Sequence, residues 1–279
     1  MHALLNIAVR AARRGANVLL RGVDRIGDLE IQRKGPRDFV SEIDRNAERE
    51  IIDVIQRSYP SHGILAEESG AQPGDDFTWV IDPLDGTTNY IRGIPHFCIS
   101  IAVMQGTRVE HGVVYDPLRE ELFVASRGAG AMLNNRRVRV SRCDRLSEAV
   151  IGCGYFPGES GLLPGFAAIC ETLDGESILR RSGSAALDLA YVAAGRYDGF
   201  FELELRRWDM AAGALIAREA GAMVAAPDGS ESYLDQGRIV AGTPRVFKAL
   251  LTHVHRGIKR IPATPEPIPK PSSGTQADA

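Results

Sequence analysis

The stretch Trp79-Val80-Ile81-Asp82-Pro83-Leu84-Asp85-Gly86-Thr87-Thr88-Asn89 constrains this chain more than any other. Trp79 to Ile81 read as the buried end of a strand. Pro83 has no N–H to give to a ladder, so the strand is expected to stop at Asp82. Asp85 follows one turn later. Gly86 permits a tight bend, and Thr87 or Thr88 can cap a following turn of helix. Two carboxylates thus stand at a strand's carboxyl end beside free backbone N–H groups. Carboxylates bind a hard cation, and N–H groups at a helix start bind an anion, so metal and phosphate can meet within one loop.

Other acidic residues fall where that loop can be reached. Ile64-Leu65-Ala66 is strand-like and runs into Glu67-Glu68. If this strand neighbours the one ending at Asp82, Glu67 and Asp82 share a sheet edge. Ser41 can cap a helix to about Ser58 whose core face is Ile43, Ala47, Ile51, Val54 and Ile55. Asp44 and Glu48 lie beside that face, by default as a solvated acidic flank, and Lys34 is by default a surface lysine. Tyr197 to Leu205 reads as a strand carrying Glu202. Trp208-Asp209 opens a helix through Ala220, where an Asp is ordinarily a cap or dipole partner. The small residues Gly183-Ser184-Ala185-Ala186 either admit a ligand close to the backbone or pack a helix tightly.

The rest of the chain sets bounds. Its 279 residues suffice for one large domain or two intimately packed halves, and 44% hydrophobic with 25% charged residues is ordinary for a soluble globular protein. A net charge of -3 argues against a generally nucleic-acid-binding surface. Cys98, Cys143, Cys153 and Cys170 form no CxxC pair and read as reduced thiols of a cytoplasmic protein. No apolar run is long enough for a membrane span. Residues 2–21 lack acidic groups, but Leu4, Ala8, Ala11, Gly15 and Val18 recur at helical spacing, as in a first helix. Hairpin-type signals, including Asn134-Asn135 before Val138-Arg139-Val140, exclude a simple parallel sheet. Residues 71–76 read as a loop, Phe166 to Leu173 and Leu187 to Ala194 as helices, and the Pro-rich residues 261–279 as a disordered tail.

Glu67-Glu68, then Asp82-Pro83-Leu84-Asp85-Gly86-Thr87-Thr88, then Trp208-Asp209 with Ala211-Ala212-Gly213 resemble the inositol monophosphatase family. This family belongs to the magnesium-dependent, lithium-sensitive phosphatase superfamily that includes fructose-1,6-bisphosphatase-like folds. The similarity spans about residues 2 to 256. Gly183-Ser184-Ala185-Ala186-Leu187-Asp188-Leu189-Ala190-Tyr191 and the first helix look closest to the bacterial SuhB-type branch. The resemblance implies an α/β fold of layered αβαβα type, one domain over residues 1–260 with halves near 1–145 and 146–260, and a homodimer.

It also implies a site. Glu67, Asp82 and the Leu84 carbonyl would hold a first Mg²⁺, and Asp82, Asp85 and Asp209 a second. Glu67 would help place a weaker third ion through waters. Asp44 and Thr87 match positions that orient the attacking water, and Gly86 and Thr87 supply N–H groups to phosphate. Asp85, Gly183, Ala185, Glu202 and Asp209 match positions lining a sugar-alcohol site. Lys34 matches a lysine near the metals, and Glu68 is part of the motif. The implied reaction is Mg²⁺-dependent hydrolysis of a phosphate monoester, inositol-1-phosphate to myo-inositol, with other sugar, histidinol or nucleotide phosphates as alternatives. Such an all-oxygen donor set suits Mg²⁺. Clustered carboxylates repel one another without metal, so metal binding is expected to be weak alone and tighter with phosphate.

The chain departs from that pattern at Cys153-Gly154-Tyr155-Phe156-Pro157, where relatives tend to carry Thr-Gly-Phe-Pro, and at Glu204 and Arg207. These changes border the substrate side and bear on substrate preference. The same branch implies a second role, as a partner of RNA polymerase and elongation factors in ribosomal-RNA antitermination. Arg136-Arg137-Val138-Arg139-Val140-Ser141-Arg142 and Arg180-Arg181 are the candidate contact surfaces.

Overall fold

Ala8, Ala11, Ala12, Gly15 and Leu19 form the apolar stripe of α1 (Ala3–Val23), and all are buried. The stripe packs on α2 (Glu42–Ser58) and is cut small for it. A Cβ on Gly15 would stand 2.7 Å from the Ile51 side chain. In this computed structural model the chain is described over residues 2–23, 31–35, 38–155 and 162–259. Between the first two helices lies a two-stranded ribbon, β1 (Ile31–Gly35) against β2 (Asp38–Ser41). The Lys34 side chain, the turn at residues 36–37, the start of the first strand at Leu29, most of the loop after Gly154 and the tail at 261–279 lie outside the described residues.

Most of the first half builds an eight-stranded sheet. In chain order its strands are β3 (Gly63–Ala66), β4 (Gly70–Gln72), β5 (Phe77–Asp85), β6 (Cys98–Gln105), β7 (Arg108–Asp116), β8 (Glu121–Ser126), β9 (Gly130–Leu133) and β10 (Arg136–Arg137). Their spatial order is β10-β9-β8-β7-β6-β5-β3-β4. From β5 to β10 it is an antiparallel meander, and β3 joins β5 in parallel. α3 (Thr87–Ile91) follows β5 directly.

The second half builds a five-stranded sheet of order β12-β11-β13-β15-β14. Its elements are β11 (Val150–Tyr155), α4 (Leu163–Leu173), β12 (Ile178–Arg180), α5 (Ala185–Ala193), β13 (Gly199–Leu203), α6 (Arg207–Glu219), β14 (Met223–Ala225), α7 (Tyr233–Gln236), β15 (Arg238–Gly242) and α8 (Pro244–Ile258). Strand alternation sends neighbouring side chains to opposite faces. Trp79, Ile81, Ile99 and Ile101 face α1 and α2, while Val80, Ala102, Val114 and Phe123 face α5 and α6. Phe200, Ile239 and Ala241 close the same central core from the small sheet. Ile151, Phe201 and Val240 face α4 and α8 behind it. The layers therefore run helix, sheet, helix, sheet, helix, the αβαβα order expected.

Several local expectations need correction. Pro83 does not end its strand: Asp82 pairs with Ser100 and Asp85 with Cys98, so β5 carries one extra residue there. Pro83 sits in that bulge, where no ladder N–H is required of it. Neither threonine caps α3. Its N-cap is Gly86 at φ +101°, without a side-chain cap bond. Residues 70–72 pair with β3 as a strand rather than forming a loop. Only Arg136–Arg137 complete the last hairpin, and Val138 to Val140 stay outside it. α4 and α5 each begin earlier than expected, and α7 has no counterpart in the sequence reading.

Candidate active site

Asp82 closes the regular part of β5. Its neighbour in β3 ends at Ala66, paired with Ile81, and the Glu67 N–H donates to the Ile81 carbonyl at 3.2 Å. Glu67 and Asp82 thus stand together at one sheet edge, as the parallel pairing requires. Asp209 arrives from the other half by a different tie. Ser100, the register partner of Asp82, donates its hydroxyl to the Trp208 carbonyl at 3.0 Å. That bond pins the start of α6 over the end of β5. Asp85 comes from the bulge, and Glu202 from β13.

These acids sense one another. Burial first, then the charges of Glu67, Asp85 and Asp209, push the Asp82 carboxyl well above the usual range. Burial first, then Asp85, does the same to Asp209. Asp85 is pushed up to about 6 by burial, against hydrogen bonds that favour its charge. Those bonds come from the Ser184 hydroxyl and the Ala186 N–H, each at 2.7 Å. Burial, then Asp188, Asp85 and Asp209, raises Glu202. Such mutual elevation is the mark of like charges held in one poorly solvated pocket.

Each aspartate meanwhile leans on a donor close by. The Leu84 N–H donates to Asp82 at 2.9 Å, and the Arg206 N–H to Asp209 at 2.6 Å. Among the described residues no group of three acidic, His or Cys side chains is drawn together so as to hold a metal ion. Asp82 and Asp209 are turned onto their own loops, and Asp85 onto the start of α5. The donor chemistry still fits a hard cation. The donors are all oxygens, their burial raises the cost of charge, and among the described residues no ion pair reaches Asp82, Asp85 or Asp209.

Asp44 and Glu48 are not a solvated flank, being 1% and 3% exposed. The Thr87 hydroxyl lies 3.2 Å from Asp44 and 3.1 Å from the Leu84 carbonyl, and its single proton serves one at a time. Glu48 accepts the N–H groups of Glu68 and Ser69, both at 2.8 Å, and so fixes the turn after Glu67. Glu68 faces Arg45 at 4.0 Å. Gly183 has φ +88°, and a Cβ there would stand 3.2 Å from the Asn89 amide. Ala185 opens α5 and is buried. Gly154 lies under Glu202, and a Cβ there would stand 2.3 Å from a Glu202 carboxylate oxygen.

Three supporting residues escaped the sequence reading. Glu48 is the first. Asn89 donates its amide to the His96 and Ser182 carbonyls at 2.7 and 2.8 Å, stapling the two loops that flank Asp85. Ser184 is the third. Each lies within a motif already singled out, but its partner is distant in sequence. A separate cavity of about 660 Å³, lined by His2, Phe77, His111, Arg127 and Met132 among others, holds none of these acids.

The profile of the inositol monophosphatase family matches residues 1–259. This chain belongs to the inositol monophosphatase family. "Nus factor SuhB" of Pasteurella multocida is 49% identical over 257 residues, covering 91% of this chain and 96% of that protein. The extragenic suppressor protein suhB of Bartonella henselae is 40% identical with a TM-score of 0.88, covering 92% of this chain and all of that one. The Thermotoga maritima IMPase is 33% identical with a TM-score of 0.85, covering 94% and 100% respectively. Membership of this family makes the chain a phosphatase of a generally metal-dependent kind. Among the described residues, no helix is long and apolar enough to cross a membrane.

Proposed function

We propose that the protein is a Mg²⁺-dependent phosphate monoester hydrolase whose substrate is inositol-1-phosphate. One observation carries the reading. Carboxylates from three separate segments, Glu67, Asp82 with Asp85, and Asp209, come close enough that their charges raise the Asp82 and Asp209 carboxyls. In this reading Glu67, Asp82 and the Leu84 carbonyl hold one Mg²⁺, and Asp82, Asp85 and Asp209 hold a second. When bound, the cations neutralise the phosphate dianion, acidify a water and offset charge on the leaving oxygen.

The chain's own groups do the remainder. Thr87, between Asp44 and the Leu84 carbonyl, holds a water in line and passes a proton toward Asp44. The left-handed backbone at Gly86 turns the N–H groups of Gly86 and Thr87 toward the phosphate. Gly183 and Ala185 leave room for the ring, and Glu202 accepts from its hydroxyls. Lys34 and Glu68 belong to the surround of the metals.

Phosphate release from a panel of monoesters, with and without Mg²⁺, tests this. We expect release only with Mg²⁺ and the highest kcat/KM on inositol-1-phosphate. Equal release after chelation would sink the metal assignment, and preference for another monoester would move only the substrate.

A second role has its own support in the name Nus factor carried by the Pasteurella multocida relative. We propose that the chain also binds RNA polymerase and its elongation factors in antitermination. Arg137 and Arg139 donate to carbonyls of this chain, Arg137 to Ala129 and Arg139 to Val138, so Arg136 and Arg142 are the better contacts. Reversing both charges should weaken capture of RNA polymerase and leave phosphate release unchanged. A homodimer belongs to the same proposal, with Ile94 and Ile178, 47% and 50% exposed, available to an interface.

A further inference from the structure

The rear face of the small sheet carries two thiols that the hydrolysis does not use. Along β11, Gly154 faces the Glu202 carboxylate, while Ile151 and Cys153 face α4 and α8. Cys153 pairs in register with Phe201 of β13. Phe166 of α4 lies on Phe201, with ring centroids 5.9 Å apart. Cys170 follows Phe166 by four residues, so it shares that helix face one turn on. With Phe166 over β13, the turn bearing Cys170 comes over β11. There the two thiols meet, with a hydrogen bond between them.

The pair is chemically unequal. Both cysteines are free, Cys153 buried and Cys170 only half-buried. The hydrogen bond from Cys153, then the Arg181 guanidinium, pulls the Cys170 thiol below its ordinary range. The same bond, with burial, pushes Cys153 up. Cys170 is thus the more accessible and more readily ionised thiol, and Cys153 the partner behind it. That is the arrangement of an attacking and a resolving thiol.

We propose that Cys170 and Cys153 form a reversible thiol–disulfide site, oxidised by a small disulfide of the glutathione class. The Cys170 thiolate attacks one sulfur of that disulfide. Its S–S bond breaks, and its other half leaves as a thiolate. Cys153 then loses its proton to that thiolate and attacks the Cys170 sulfur, expelling the second half. The second departing thiolate takes up from water the proton that Cys170 lost on ionising, so that overall the two protein thiols give up two electrons and two protons and the small disulfide becomes two thiols. The new bond ties α4 to the strand whose opposite face carries Gly154 beneath Glu202.

The experiment incubates the full chain with glutathione disulfide, quenches with acid, alkylates remaining thiols and maps the peptides. We expect two of the four thiols to resist alkylation, recovered as a Cys153–Cys170 cross-link that dithiothreitol reverses. Cys153→Ser should stop the reaction with glutathione on Cys170, and Cys170→Ser should leave Cys153 unmodified. If Cys153→Ser does not fold, Cys153→Ala serves, and the wild-type map decides alone. A wild-type protein that keeps glutathione on Cys143 or Cys170 without the cross-link overturns the proposal. The map does not depend on phosphate release, so it stands or falls separately from the hydrolase reading.

Discussion

The two sides of the site are built differently. On the acid side, Asp82, Asp85 and Asp209 each accept a main-chain N–H, from Leu84, Ala186 and Arg206. Glu48 holds the turn after Glu67 in the same way. On the substrate side, Glu202 is raised by burial and neighbouring charge, yet among the described residues no hydrogen bond reaches its carboxylate. It is located instead by bare backbone, the Gly154 beneath it. Charges braced by main chain keep their position when side chains around them change. A charge seated over a glycine depends on the shape of its surroundings. On the proposed function, the contrast puts the chemistry on the first side and the selectivity on the second.

The largest effect should come from Asp209→Asn. The amide can still accept from the Arg206 N–H, so the fold survives, but the charge is lost. We expect kcat/KM for inositol-1-phosphate to fall about a thousandfold. Melting of the metal-free variant should occur at a higher temperature than wild type, because one buried repulsion is gone. Near-normal turnover would break the division between the two sides at its stronger end.

Glu202→Gln tests the other end. We expect KM for inositol-1-phosphate to rise about tenfold with little change in kcat, the signature of lost ground-state binding. Mg²⁺ affinity, read by titration, should be unchanged. A fall in kcat at constant KM would move Glu202 to the acid side.

The smallest effect is on pH. Burial pushes the Asp85 carboxyl of the folded chain up to about 6, from the ordinary aspartate value of about 4 in the unfolded chain. Between these values the folded state holds a proton that the unfolded state has released. Stability from this group is therefore full below the lower value and lost as pH rises through the upper one. Melting of the metal-free protein should fall as pH climbs from about 4 through about 6, and saturating Mg²⁺ should flatten the trend. A metal-free melting temperature that rises across this interval would show that the acids are not crowded.

Much of the acid side was legible because its logic is local. A strand ending in acids, a proline and a glycine can be read from one window, whereas Asp209, by itself an ordinary helix cap, joined the site only through the resemblance. The layer order followed from the resemblance. What escaped is what joins distant segments. Glu48 looked like a solvent-facing flank because nothing in its helix reveals that the N–H groups of Glu68 and Ser69 lie across from it. Asn89 sits inside the most conspicuous motif, yet its partners at His96 and Ser182 depend on the fold. Pro83 misled in the opposite direction, since a bulge removes the objection to proline that an ordinary ladder raises.

The seat of α6 has one more consequence. A Cβ on Gly112 would come within 2.8 Å of the Ala212 carbonyl, and one on Gly213 within 2.8 Å of Leu189, so the helix is wedged between β7 and α5. A helix gripped on both flanks cannot slide, and the acid at its tip inherits that immobility. Descendants of this chain that acquire new substrates have latitude along the margin beside Gly154, and almost none along the helix that delivers Asp209.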